Sequence, residues 1–208
     1  MSNNWRIWRV QYPRTFVVMV ALKRMRTKVG VMVALLCFAR DAYLNKQPFD
    51  LREPNRWVAL GLFLIIVGVA FRLAAYGSIR KKEELATTGV YSLCRHPLYL
   101  GSMLMTYGFC TLLNDLNNFI VATAYFAIFY SLAIIWDEIR LEERYADTHR
   151  EYALRTPMLL PIGRYRPSEF HWALVAKNGG AILIATTGIL LTGTEVLAML
   201  SRRFPIRG

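Results

Sequence analysis

Two stretches of the chain concentrate side chains that could hold a charged ligand or move a proton. Residues 84–102 place an arginine and a histidine directly before a proline, and residues 137–161 begin with two adjacent carboxylates. The first arrangement suits an anion such as a carboxylate, which an N–H-rich helix start and basic side chains attract. The second offers acceptors for a cation or a hydroxyl group.

In the first stretch, residues 88–89 predict a turn, and Pro97 predicts a helix start directly after His96. Taken alone, Arg95 and Tyr99 are typical of an interfacial helix, with a snorkelling arginine and a tyrosine in the aromatic belt. The combination of arginine, histidine, proline and tyrosine behind a turn favours a binding site instead.

The second stretch predicts an amphipathic helix that continues an apolar segment. One face carries Ile134, Glu138, Leu141, Tyr145 and Tyr152, with Glu142 beside it. The charged residues away from that face are typical of a solvated helix surface: Arg140, Glu143, Arg144 and Arg150. Asp137 and Glu138 differ, because carboxylates at headgroup depth are costly unless they are paired or functional.

Composition indicates the setting of both stretches. The 208 residues are 55% hydrophobic and 19% charged, more apolar than one soluble core of this size can bury. The net charge of +12 sits in short clusters beside apolar runs, as at a cytoplasmic membrane face. Since no nucleic-acid-binding motif accompanies this charge, we exclude a nucleic-acid partner.

Apolar runs predict an all-α bundle of about five membrane-spanning helices. The clear candidates are residues 57–77, 98–113, 119–136 and 180–200, with 29–44 a weaker fifth because Arg40 and Asp41 interrupt it. Those two charges could pair at one end of the span. Residues 15–22 are too short to cross and predict either an interfacial helix or an extension of the next span.

Lysine and arginine are dense at residues 6–28, 80–95 and 140–166, so the positive-inside rule predicts a cytoplasmic N-terminus and a cytoplasmic site. Segment 180–200 breaks the pattern, because a single crossing would put Arg202 outside; a re-entrant or hairpin segment is the alternative. We therefore divide the chain into a basic segment 1–28, a core 29–161 and an extension 162–208.

The cysteines predict reduced thiols. Cys37, Cys94 and Cys110 are widely spaced in or beside apolar stretches, without a CxxC or metal-ligand spacing, so no metal site is expected. The N-terminus lacks a signal-peptide cleavage pattern.

The first stretch resembles the isoprenylcysteine carboxyl methyltransferase and phospholipid methyltransferase family of integral membrane enzymes. That family's first block reads roughly Leu-x-Thr-x-Gly-x-Tyr, three residues, then Arg-His-Pro-x-Tyr-x-Gly. All of its elements are present: Leu85, Thr87, Gly89, Tyr91, Arg95, His96, Pro97, Tyr99 and Gly101.

The second stretch resembles the same family's second block. The matching residues are Leu141, Tyr145, Tyr152, Arg155, Pro157 and Pro161. In this register the acidic pair is Asp137-Glu138, whereas Ala146 and His149 replace a glycine and a tyrosine.

The resemblance implies a cytoplasmic pocket for S-adenosylmethionine, with S-adenosylhomocysteine as the product, in the bacterial inner membrane or the endoplasmic reticulum. It implies cofactor contacts from the following residues: Leu85, Gly89, Tyr91, Arg95, His96, Pro97, Tyr99 and Glu138, with Glu142 in reserve. Glu138 and Arg155 are the expected catalytic residues, Arg155 orienting an anionic acceptor. The implied acceptor is a lipid-like or prenylated molecule with a carboxylate or amine, entering from membrane lipid.

A non-enzymatic channel or transporter subunit is the alternative function. It would use the intramembrane charges Arg40, Asp41 and Arg72 along a conduction path and would bind no cofactor.

Overall fold

The computed structural model describes residues 13–44, 46–52, 55–79 and 84–203, and within them the chain is a helical bundle without strands. The helices are α1 (Pro13–Tyr43), α2 (Arg56–Ser78), α3 (Val90–Leu93), α4 (Pro97–Leu113), α5 (Leu116–Tyr125), a π-helical turn (Phe126–Tyr130), α6 (Ser131–Arg155), α7 (Trp172–Asn178) and α8 (Gly180–Arg203). The predicted all-α membrane bundle is confirmed.

Among the described residues, three helical segments are long and apolar enough to cross a membrane: Arg56–Ser78, Leu116–Arg155 and Gly180–Arg202. They contain three of the predicted spans. The fourth lies in α4, an apolar helix of 17 residues, which is about 26 Å long and slightly shorter than a hydrocarbon core. The weak fifth lies in α1, whose charged residues keep it outside this set.

Helix α1 is continuous over 31 residues, so residues 15–22 extend the next helix and do not form a separate one. Near its end, Arg40 Nη1 lies 3.1 Å from Asp41 Oδ1 and 3.1 Å from Asp115 Oδ2. Asp41 is fully buried and also accepts a hydrogen bond from Asn118 Nδ2 at 2.6 Å. The predicted Arg40–Asp41 pair is confirmed, and it ties α1 to the start of α5.

Helices α2 and α4 pack closely along a seam of glycines seven residues apart on each helix. A Cβ on Gly68 would lie 2.6 Å from the Gly101 carbonyl oxygen, and one on Gly61 would lie 3.0 Å from that of Gly108. Small residues allow such close approach where lipid provides no hydrophobic force between helices. The seam aligns α4, whose first residue, Pro97, follows directly after His96.

Helix α8 is one unbroken helix, which excludes the hairpin alternative for residues 180–200. Near its start, Asn178 donates a hydrogen bond to the Tyr76 carbonyl, close to the end of α2. At its other end, Arg202 Nη1 pairs with Asp50 Oδ2 at 2.6 Å. A single crossing puts Arg202 at the end of the bundle opposite residues 84–96, and the pairing with Asp50 gives it an acidic partner there.

The glycine seam predicts that Gly68→Val destabilises the protein by about 1–3 kcal/mol, because the backbone carbonyl of Gly101 blocks the new side chain. Thermal unfolding in detergent should show a midpoint lowered by several degrees. Gly188→Val is the matched control, since a Cβ there meets nothing within 4 Å. Equal midpoints for the two variants would contradict close α2–α4 packing.

Candidate functional site

The first polar stretch begins at a turn that requires glycine. Gly89 has φ +62° and ψ −135°, and a Cβ there would lie within contact distance of the Ser168 side chain. Its N–H donates to the Arg166 carbonyl at 2.7 Å, and the Arg166 N–H donates to Ser92 Oγ at 2.8 Å. The segment after α6 therefore returns and anchors the short helix α3.

The chain then turns sharply into α4, and the second polar stretch supplies the missing hydrogen bonds. The Arg95 N–H donates to the Pro157 carbonyl at 2.9 Å, and the His96 N–H donates to the Met158 carbonyl at 3.1 Å. Pro97 occupies the first turn of α4, where its missing N–H is not needed. Backbone bonds thus join the two stretches directly before α4.

The Glu138 carboxylate holds the side chains of both residues that precede Pro97. Its Oε2 accepts from Arg95 Nη1 at 2.6 Å, and its Oε1 lies 2.7 Å from His96 Nε2. His149 Nε2 lies 3.8 Å from Oε2, too far for a hydrogen bond. We call this group of four side chains the carboxylate clamp.

Glu138 follows the apolar segment that ends at Trp136, and it remains ionised. Its Oε2 accepts from the Arg95 guanidinium and its Oε1 lies 2.7 Å from the His96 imidazole, contacts that favour the charged form of a partly buried carboxyl group. The carboxylate is therefore charged at neutral pH, and it is a poor proton acceptor.

The other member of the acidic pair makes a separate contact. Asp137 Oδ2 accepts a hydrogen bond from the Tyr99 hydroxyl at 2.6 Å, and that hydroxyl accepts one from Arg26 Nη1 at 2.6 Å. The Arg26 guanidinium also lies over the Tyr99 ring, 5.0 Å from its centroid. Helix α1 thereby contributes Arg26 to the site, a residue that lies outside both polar stretches.

Helix α6 bends at Ala146, whose φ of 37° and ψ of −110° are not helical. The bend carries the end of α6 toward α3, where the buried Tyr152 hydroxyl donates to the Tyr91 carbonyl at 2.6 Å. A positive φ favours glycine, the residue that the family block has where this chain has Ala146.

These contacts border a partly open cavity of about 660 Å³ between α4 and α6, a volume within the range of small-molecule sites. Its lining combines charged, aromatic and apolar side chains: Ile79, Glu84, Leu85, Ala86, Tyr91, Arg95, His96, Pro97, Leu98, Tyr99, Asp137, Arg140, Leu141, Glu143, Arg144, Tyr145 and Tyr152. We call it the main cavity.

Six of the predicted cofactor residues line the main cavity, and they are Leu85, Tyr91, Arg95, His96, Pro97 and Tyr99. Four other predicted site residues lie outside its lining. Gly89 forms the turn, Glu138 lies in the clamp, and Glu142 Oε1 lies 3.9 Å from Arg150 Nη2. Arg155 is exposed, pairs loosely with Glu151 at 3.9 Å, and lines a different cavity.

Sequence reasoning missed several members of the lining. Arg140, Glu143 and Arg144 were assigned to a solvated face; they are exposed, yet they border the main cavity. Helical periodicity cannot separate these two situations, because the segment at residues 84–86 approaches that face from elsewhere in the chain. For Arg26, the one sequence signal for a role in the site is its place in the basic cluster of α1.

Two polar atoms at the cavity wall are buried without a hydrogen-bond partner among the described residues, namely the Tyr91 hydroxyl and Arg95 Nε. Leaving such groups unsatisfied costs free energy, so they indicate a ligand that accepts hydrogen bonds at this wall. The Asp137 and Glu143 carboxylates of the same lining provide acceptors for a cationic group.

The phospholipid methyltransferase family matches residues 56–148, a range that holds α2, three of the four clamp residues (Arg95, His96 and Glu138) and every residue of the main-cavity lining except Tyr152. No solved structure matches the chain.

The relatives that are similar to the chain include the following three. The cobalt-zinc-cadmium resistance protein CzcN of Cupriavidus metallidurans is 38% identical over 72% of this chain and 70% of its own length. The nickel-cobalt-cadmium resistance protein NccN of Alcaligenes xylosoxydans xylosoxydans is 36% identical over 49% and 47%. Protein-S-isoprenylcysteine O-methyltransferase B of Arabidopsis thaliana is 29% identical over 51% and 60%. The chain thus spans from about half to 70% of these relatives' lengths.

The bend in α6 predicts an unusual sign for one substitution. Ala146→Gly should stabilise the protein by about 1 kcal/mol, because glycine relieves the strain of a positive φ. Ala153→Gly, in the same helix with ordinary geometry, should destabilise it by up to about 1 kcal/mol. Thermal unfolding midpoints of the two variants should therefore move in opposite directions, and a decrease in both would show that Ala146 is regular helix.

Proposed function

The chain belongs to the phospholipid methyltransferase family of membrane methyltransferases, and we propose that it methylates a lipid-like or prenylated acceptor with S-adenosylmethionine. The main cavity would bind the methyl donor at the cytoplasmic membrane surface. The observation that carries this proposal is a cavity of suitable volume whose wall holds the buried, unpartnered Tyr91 hydroxyl and Arg95 Nε.

The residues of the main cavity fit the chemical groups of the donor. Arg95 Nε and the Tyr91 hydroxyl would donate hydrogen bonds to its carboxylate. Asp137 would face its ammonium group, and Leu85 and Leu141 would provide apolar walls for the adenine.

The role that we propose for Glu138 and His96 is to hold this wall. With the Arg95 guanidinium and the imidazole both bound to one carboxylate, neither side chain is free to rotate out of the site. Preorganised donors lose little entropy when a ligand binds, so the clamp should strengthen donor binding without a contact of its own.

When bound, S-adenosylmethionine supplies a methyl carbon attached to a positively charged sulfur. The protein's part is to align the acceptor with that carbon and to exclude water. A carboxylate acceptor loses no proton, whereas an amine acceptor must lose one. Glu143 lines the cavity and would take that proton, since Glu138 is held by the clamp and Asp137 by the Tyr99 hydroxyl.

The acceptor would reach the main cavity from the bilayer. Two apolar residues line the cavity at the points where it meets apolar helices. Ile79 follows the last residue of α2, and Leu98 lies in the first turn of α4. The relative from Arabidopsis thaliana is named for O-methylation of isoprenylcysteine, which supports a prenylated carboxylate. The names of the two bacterial relatives describe metal resistance and state no reaction.

The charges on which the channel alternative depends are bound to neighbouring groups. Arg40 pairs with Asp41 and Asp115, and Arg72 contacts Ser102 and the Tyr76 hydroxyl. These contacts explain the intramembrane charges as links between helices, as is usual for paired polar groups in membranes.

The proposal predicts labelled product from membranes that contain the protein. With methyl-labelled S-adenosylmethionine, wild type should transfer label to organic-extractable lipid or to a protein carboxyl ester that base releases as methanol. His96→Asn should lower transfer by at least about tenfold. The variant loses a side chain that lines the main cavity and also loses the contact with Glu138, so the cavity wall at Arg95 becomes disordered. His171→Asn, at the start of α7 and outside the cavity lining, is the matched control.

Thermal unfolding of each variant establishes that it is folded. Label no greater than in membranes without the protein would contradict the proposed reaction. Full transfer by a folded His96→Asn variant would contradict the proposed site.

A further inference from the structure

A second cavity of about 410 Å³ lies at the same end of the bundle as the main cavity. Its lining includes three arginines, Arg155, Arg164 and Arg166, together with the hydroxyls of Thr87 and Thr148. Tyr152 lines both cavities, which therefore lie next to each other. The methyl transfer proposed above uses none of these arginines, because Arg155, which the resemblance assigns to the acceptor, lines this cavity and not the main cavity.

The backbone fixes where the three arginines lie. Arg155 is the last residue of α6, and the Thr156 N–H after it donates to the Tyr152 carbonyl at 3.0 Å. The Gly163 N–H donates to the Leu93 carbonyl at 2.9 Å, which holds residues 163–166 against α3. Hydrogen-bonded backbone therefore positions all three arginines in the lining of one cavity. The end of α6 holds Arg155, and residues 163–166 hold Arg164 and Arg166.

Charge in this cavity is unbalanced. Glu151 is the acidic residue of the lining, and its carboxylate lies 3.9 Å from Arg155 between two largely exposed side chains. The exposed side chains of Arg164 and Arg166 have no ion pair or hydrogen bond within the described part of the chain. Guanidinium groups bind phosphate oxygens through two parallel N–H bonds, and threonine hydroxyls add further donors.

Apolar side chains surround these arginines and indicate lipid. Leu154 is 84% exposed, Leu160 65%, Ile162 76% and Tyr165 59%, each within a few residues of an arginine of the cavity. Exposed aliphatic and aromatic residues between arginines are typical of segments at the membrane interface, where basic side chains meet anionic headgroups.

We propose that the second cavity binds the phosphate of an anionic phospholipid headgroup. The segment at residues 154–165 would insert its apolar side chains beside the acyl chains, while the three arginines hold the phosphate. The site is distinct from the main cavity, and it does not depend on the methyl transfer reaction.

Binding can be measured on the full chain, purified in a non-ionic detergent, from its unfolding midpoint. Added phosphatidylglycerol should raise the midpoint by a few degrees in a saturable manner, and phosphatidylcholine should raise it much less. The Arg164→Gln/Arg166→Gln variant should lose at least about half of this rise. Arg52→Gln/Arg56→Gln, which removes two positive charges at the opposite end of the bundle, should keep it.

Arg155→Gln is the second test variant, and it removes a largely exposed side chain of the same cavity. It should also reduce the rise in unfolding midpoint with phosphatidylglycerol. Unchanged midpoints without lipid establish that the variants are folded. An equal rise with both lipids, or a full rise in the folded Arg164→Gln/Arg166→Gln variant, would overturn the proposal. A saturable rise with inorganic phosphate but none with phosphatidylglycerol would identify a soluble phosphate site and overturn the lipid assignment.

Discussion

One carboxylate organises the candidate site. Glu138, directly beyond an apolar span, binds Arg95 through one oxygen and His96 through the other, at 2.6 and 2.7 Å. Breaking a partly buried pair of this kind costs more than breaking a surface pair, because it leaves charge without a partner. The clamp consequently keeps the start of α4 against α6, and the main cavity lies between the start of α4 and residues 137–145 of α6.

The clamp depends in turn on the backbone around it. The Pro97 turn directs Arg95 and His96 toward α6, and the carbonyls of residues 157–158 satisfy the N–H groups that this turn leaves open. The chain reaches that position because α6 bends at Ala146. A straight α6 would carry Tyr152 away from α3 and would open the cavity.

Much of this arrangement could be predicted from the sequence, because it follows local rules. Apolar length indicated the spans, and proline after histidine indicated the start of α4. The juxtaposition of residues 84–102 with 137–161 was predicted from resemblance, and contacts between residues over 40 positions apart carry no local signal. For this reason Arg26 was missed, and Arg140 and Arg144 were assigned to solvent although they border the cavity. The contact between Glu138 and cofactor stays a prediction; in the structure Glu138 binds Arg95 and His96, and these two residues line the cavity.

The central claim is that Glu138 and His96 act as one unit in shaping the cofactor cavity, and a double-mutant cycle on S-adenosylhomocysteine affinity tests it directly. Titration calorimetry would compare wild type, Glu138→Gln, His96→Asn and the double variant. The account predicts that each single variant binds at least about fivefold more weakly and that the double variant is scarcely weaker than either, a coupling of about 1 kcal/mol or more. Losses that multiply in the double variant would show that the two side chains act independently and would contradict the clamp.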